Sequence, residues 1–264
     1  MNEHPSSRLP MRRIHLDGPV NFRDIGGYQT VDGSTVRWRK VYRADALHEM
    51  SDRDAQIVFD DLEIGLVIDL RSEREVDLVG TGPVGSSGAT WVHLSVIDET
   101  QPAQQTWQAL LEDVPMSERY SRILAQAGPR FVEALELIAE SSVPLVFHCT
   151  AGKDRTGILA ALLLCALGVP DTEVVDDYAA TSEVLHTIEA RYLARAEDPR
   201  FSTQFEGLPG WRDQARKLMT ADAQTMHHVL GELRANDTSI DAWLARNGLS
   251  AGMMSLLRTR LLES

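Results

Sequence analysis

The stretch "VFHCTAGKDRTGILAALLL", Val146 to Leu164, crowds a cysteine, a lysine, an aspartate and an arginine into one turn between two apolar runs. Five residues separate Cys149 from Arg155, enough chain to wrap a tetrahedral oxyanion and return a guanidinium over it. A planar guanidinium fork binds two oxygens of such an anion together. Gly152 accepts backbone angles that other residues resist, so the peptide N–H groups of Thr150, Ala151, Gly152 and Lys153 can point inward as a nest. A helix starting just beyond would add its unpaired N–H groups and the positive end of its dipole, which favour an anion and the thiolate form of Cys149. The chemistry this suits is attack by sulfur on the central atom of a bound oxyanion.

Such a turn works only if a strand delivers Cys149 and a helix carries Arg155. "VPLVFH" is a short apolar run bounded by Pro144, a buried strand, and "RTGILAALLLCALGVP" is a helix closed by Gly168 with Pro170 beyond. "IGLVIDLRS" reads as a buried parallel strand and "TWVHLSVI" as a further strand, with "GTGPVGSSGA" a loop between them. Upstream, "NFRDIGGYQTVDGSTVRWRKVYRADAL" alternates extended pieces with Gly and Asp-Gly turns, including a hairpin around "VDGS". Arg23 and Asp24 in that segment read as a buried structural pair, because buried charges are normally paired. Ser51 is a plausible N-cap for a helix over "SDRDAQIVFDDL".

From Gln101 to Glu140 the periodicity is helical, broken at Pro115 and at "GPR". The part at about 100–128 is expected to form a helical lid or insertion over the turn, with ordinary packing helices as the other reading. The last forty residues predict three helices separated by "ANDTS" and "NGLS". Strands alternating with helices imply an α/β three-layer fold. Its twisted, mostly parallel sheet carries helices on both faces and additional C-terminal helices. Residues 1–13 are expected to be a flexible tail and 14–264 a single domain.

The chain has 264 residues and a net charge of -13, with a pI near 5.0. That balance argues against a general affinity for nucleic acid or anionic lipid, so an anionic ligand must meet a locally positive pocket. No apolar run is long enough to span a bilayer, and "MNEHPSSRLPMRR" lacks the apolar core of a signal peptide. A cytoplasmic location is expected, with export by another route left open. Two cysteines do not make a disulfide framework, and Cys165 in "LLLCALG" reads as an inert core residue. His227 and His228 are adjacent and point to different helix faces, so no metal site is expected.

His148, Cys149, five residues, Arg155 and Thr156 resemble the active-site motif of the protein tyrosine phosphatase superfamily. The fuller "HCTAGKDRTG", with "NFRDIGGY", "VYRAD", "IGLVIDLRSEREV" and "NGLSAGMMSLLRTRLL", resembles its bacterial branch typified by mycobacterial secreted tyrosine phosphatase B. The resemblance runs from about Asn21 to Leu262. It implies hydrolysis of phosphomonoesters through a phosphocysteine intermediate on Cys149, with dual or triple specificity in view and no cofactor. Arg155 would hold the phosphate, Thr156 would donate its hydroxyl to the sulfur, and His148 would buttress the loop. Three aspartates compete to protonate the leaving oxygen: Asp154 first, Asp69 at a strand end second, Asp98 third. Lys153 beside the phosphate raises phosphoinositides as an alternative to phosphorylated protein, and a catalytically inactive phosphate-binding module is a further alternative. The sequence leaves the oligomeric state open.

Overall fold

The computed structural model describes residues 12–97, 112, 114–195, 197–198 and 210–264. In chain order the strands are β1 (Arg23–Asp24), β2 (Thr35–Val36), β3 (Val41–Ala44), β4 (Leu66–Asp69), β5 (Thr90–His93), β6 (Leu145–His148) and β7 (Leu262–Glu263). The helices are α1 (Asp52–Ala55, continued by a π turn over Gln56–Asp61), α2 (Glu73–Val79), α3 (Met116–Glu140), α4 (Asp154–Ala166) and α5 (Asp171–Ala179). They continue with α6 (Leu185–Arg195), α7 (Trp211–Leu218), α8 (Ala223–Asp237), α9 (Ile240–Arg246) and α10 (Ala251–Leu261).

Five strands form one sheet in the order β1-β3-β6-β4-β5, parallel throughout except for β1 at the edge. The strand that delivers Cys149 is therefore the central one. Side chains alternate across it. Leu145 and Phe147 of β6, with Val41, Leu66 and Ile68 of its neighbours, join the larger core under the helices, while Val146, Tyr42, Ala44 and Val67 join a smaller core with Leu47, Val58 and Val84. These two cores make the sheet the middle layer of three, as the alternation of elements implies.

Helix α4 is apolar all round and packs against α3, α5 and α9 as well as the sheet. Its Leu159, Leu162, Leu163 and Leu164 are fully buried, each contributing about 1.5–3 kcal/mol by leaving water. Gly168 ends it at φ +84°, with its N–H and that of Val169 donating back to Cys165 and Leu164. The expected start at Ser51 is in place, closing a capping box with Asp54, and Ser239 and Ser250 cap α9 and α10; Ser72 closes a further capping box with Glu75.

Three expectations need correction. The break at "GPR" is absent, because α3 runs through Pro129; the buried stripe of Tyr120, Leu124, Phe131 and Leu135 outweighs the one hydrogen bond proline removes. The sequence "RTRLL" ends as strand β7, pairing antiparallel with β2, where periodicity gives only helix. Arg23 and Asp24 are both buried but not with each other, since neighbours on a strand face opposite ways. Asp24 accepts from the backbone of Gly26 and Arg39, and Arg23 pairs with Asp177.

Of the segment 100–128, Met116–Gly128 is the first half of α3, with Tyr120 and Leu124 buried; apart from Glu112, Val114 and Pro115 the rest lies outside the described residues. Among the described residues no helix is long and apolar enough to cross a membrane.

Candidate active site

β6 stops at His148 and α4 starts at Asp154, so residues 149–153 form a turn at the carboxyl edge of the central strand. In open α/β sheets this is where ligands bind. Gly152 sits at φ +64°, and a Cβ there would lie 2.7 Å from the Ala44 carbonyl oxygen. Its own carbonyl is held outward by Arg43 Nη2 at 2.8 Å and Asn21 Nδ2 at 3.1 Å. With that carbonyl fixed, the turn presents its N–H groups to the other side. Among the described residues none of the peptide N–H groups from Thr150 to Thr156 has an acceptor in the chain. A ring of unpaired donors at a helix start is an anion cradle. Cys149 lies at its base, 1% exposed.

The cradle is braced from behind by a buried cluster. Asp177 of α5 bonds both Arg43 and Arg23, the latter at 3.0 Å, and Arg23 also reaches Asn21 and Thr181. Burial alone would raise the Asp177 carboxyl, yet the two guanidiniums hold it well below the usual carboxylate range. Arg43 is pushed down to about 10, by burial first and then by Arg23. This gives the "NFRD" and "VYRAD" segments a physical role: they supply the donors that fix the Gly152 carbonyl. Asp177 was not legible as their partner, although its place on the buried stripe of "VVDDYAATS", with Val174 and Thr181, marks it as unusual.

Arg155 points into a contact that the sequence did not announce. Its Nη1 and Nη2 donate to Glu75 Oε2 and Oε1 at 2.5 and 2.8 Å, and Nη1 also reaches the Leu70 carbonyl at 3.4 Å. Glu75 accepts in addition from Thr150 Oγ1 at 2.5 Å and from the Ser72 N–H at 2.8 Å. Burial would raise the Glu75 carboxyl, but Arg155 overcomes this and holds it at about 2. Burial would likewise lower the guanidinium, and Glu75 more than reverses it. Arginine has five N–H donors. Among the described residues three are engaged, leaving Nε–H and the second Nη2–H, which lie on one edge of the fork. The spacing Ser72-x-x-Glu75 is that of a capping box, but nothing in it points to the bond with Arg155.

The candidates for proton donor separate cleanly. Asp154 is the first residue of α4, its side chain 32% exposed, with the Tyr120 hydroxyl donating to Oδ1 at 2.6 Å and Lys153 Nζ 3.1 Å from the same atom. Asp69 has to be withdrawn from that list. It is fully buried and clasped by Arg71 at 2.6–3.1 Å, with His148 Nε2 3.5 Å away. Burial would raise it, but His148 and Arg71 keep it ionised far below the carboxylate range, so it has no proton to give. Asp98 lies outside the described residues.

The remaining expectations divide. His148 is buried, its Nδ1 3.2 Å from the Cys149 carbonyl and its Nε2 3.5 Å from Asp69. Ala151 packs on the larger core. Thr156 is buried, but among the described residues its hydroxyl has no hydrogen-bond partner, so the expected bond to the sulfur is not formed. Lys153 is not a solvated loop lysine: it is 2% exposed, donating to the Leu218 carbonyl at the end of α7 and pairing with Asp154. Cys165 packs against the core and burial pushes its thiol up to about 12, which leaves it inert.

A family model described as the tyrosine phosphatase family matches residues 14–263. A tyrosine-protein phosphatase of Nostoc commune is 44% identical over 147 residues, 55% of this chain and 49% of that one, so the match spans about half of that relative's length. The triple specificity protein phosphatase PtpB of Mycobacterium tuberculosis is 25% identical over 288 aligned residues, covering 94% of this chain and 98% of the other. Among solved structures, the core catalytic domain of the PP-IP phosphatase SIW14 from S. cerevisiae aligns with a TM-score of 0.38 at 13% identity, covering 77% of this chain and 96% of that one.

Proposed function

The chain belongs to the tyrosine phosphatase family, and from that premise we propose that it hydrolyses phosphomonoesters, phosphotyrosine foremost, through a phosphocysteine intermediate. The observation that carries this reading is the free edge of Arg155. With three donors engaged by Glu75 and Leu70, the guanidinium keeps a two-pronged edge for a phosphate seated on the unpaired N–H groups of Thr150–Thr156. Phosphoryl transfer spreads charge over the equatorial oxygens, so donors fixed in advance supply most of the acceleration.

In the first step the Cys149 thiolate forms an S–P bond as the P–O bond to the leaving group breaks, and Asp154 gives its proton to that oxygen. In the second, Asp154 takes a proton from water while the water oxygen bonds phosphorus and the S–P bond breaks, releasing inorganic phosphate. Dual or triple specificity is in keeping with a cradle built for the phosphate group, and the Mycobacterium tuberculosis relative carries triple specificity in its name. Lys153, which raised phosphoinositides as an alternative substrate class, has its amine held by the Leu218 carbonyl and Asp154.

Phosphate release is to be measured on p-nitrophenyl phosphate, a phosphotyrosyl peptide and a soluble phosphoinositide, with wild type and Cys149→Ser. We expect turnover of the first two, none by Cys149→Ser, and a phosphocysteine adduct after rapid acid quench. Faster turnover of the phosphoinositide would replace the protein substrate with a lipid one. Phosphate bound without release would leave only a binding module.

A further inference from the structure

The two oxygens of Asp154 are not equivalent. Oδ1 receives the Tyr120 hydroxyl at 2.6 Å and has Lys153 Nζ 3.1 Å away, whereas among the described residues Oδ2 has no partner. Tyr120 Oη is also 2.8 Å from Tyr178 Oη. A hydroxyl has one proton. Since Tyr120 directs its own at Asp154, the Tyr178 hydroxyl must be the donor between the two rings, and the chain runs from Tyr178 through Tyr120 to Asp154.

That chain is rigidly built. Tyr120 and Tyr178 are buried and meet edge to face, with ring centroids 6.0 Å apart at 87°. Gly157 admits the Tyr178 ring, because a Cβ there would stand 3.0 Å from it. Burial first, and then the charge of Asp154, raises both hydroxyls far above the neutral range, so both remain donors. The groups facing Asp154 are Lys153 and Arg155 from its own turn, Tyr120 and Arg119 from α3, and Tyr178 from α5.

We propose that Tyr120 is a positioning residue for the proton donor: its hydroxyl, oriented by Tyr178, saturates Asp154 Oδ1 and so places the transferable proton on Oδ2. This rests on the phosphatase reading and on Asp154 as the acid. In the transfer, the Oδ2–H bond breaks, the leaving oxygen gains the proton as its bond to phosphorus breaks, and the charge left on Asp154 is met by the Tyr120 hydroxyl and the Lys153 ammonium.

The test compares wild type, Tyr120→Phe, Tyr178→Phe, Asp154→Ala and the Tyr120→Phe/Asp154→Ala pair on two substrates. Phenyl phosphate needs its leaving group protonated; p-nitrophenyl phosphate needs this much less. Tyr120→Phe is expected to lower kcat about tenfold on phenyl phosphate and less than twofold on p-nitrophenyl phosphate, part of the 10²–10⁴-fold that an acid contributes. Tyr178→Phe should show the same pattern more weakly. In the Asp154→Ala background, Tyr120→Phe should cost nothing further. Equal losses on both substrates, or an additive loss in the double variant, would reduce Tyr120 to core packing and overturn the inference. Wild type without any turnover would instead sink the phosphatase reading itself.

Discussion

Glu75 and Arg155 illustrate how much of the site depends on single side chains that share their bonds. Glu75 caps α2 through Ser72, holds Thr150 of the turn and orients Arg155, so one carboxylate ties the nucleophile's loop to the neighbouring strand–helix unit. Glu75→Gln keeps the shape and the cap but removes the charge. Hydrogen bonds to charged groups are worth about 1.5–3 kcal/mol, so kcat/KM should fall at least tenfold, chiefly through KM. Steady-state kinetics on p-nitrophenyl phosphate check this; an unchanged kcat/KM would mean that Arg155 needs no such partner. Cys149, Asp154 and Arg155 could be named from sequence because their chemistry is packed into seven consecutive positions. Glu75, Tyr120 and Asp177 could not, because each reaches the turn from a distant element and looks, locally, like a cap, a helix aromatic and a surface acid. Asp69 failed in the opposite sense: a strand-end carboxylate has the right address, but only the fold reveals that Arg71 and His148 hold it ionised.

At the scale of elements, the turn between β6 and α4 depends on a backbone that only glycine adopts freely. In Gly152→Ala the added carbon would face both the φ of +64° and the Ala44 carbonyl at 2.7 Å. The left-handed angle alone costs about 1–2 kcal/mol, and relief requires the turn to move. Moving it breaks the bonds from Arg43 and Asn21 and scatters the N–H groups. Gly152→Ala should therefore lose most of its activity while its thermal midpoint falls by no more than a few degrees, as paired activity and melting measurements would show. A variant that stays fully active would mean the cradle tolerates another backbone path. Elements with local grammar were readable: serine caps, the Gly168 stop and the three apolar strands. Pro129 within α3 and strand β7 were not, because packing of the helix stripe and pairing with β2 decide them, and neither is local.

Across the whole molecule, His48 links the small core to α6. It lies between Arg71 and Arg195, with ring nitrogens 3.3 and 3.1 Å from their guanidiniums. Burial, then those two cations, push it down to about 3. An unfolded histidine titrates near 6.5, so stability is full above that pH and is lost as the solution is acidified toward 3. Asp45, raised to about 6 by burial, works the other way over part of this range, which makes the difference between variants the useful quantity. Urea midpoints at pH 7.5 and 5 should drop more in wild type than in His48→Gln; equal drops would clear His48 of this role. The central place of β6 has one more consequence, for the order of assembly. β3 and β4 are made first, and β3 has β1 and β4 has β5 as a partner, yet the two do not touch, so the sheet is joined only by the strand that carries Cys149. The candidate nucleophile enters with the keystone of the sheet, so the sheet and the turn at its carboxyl edge are completed together.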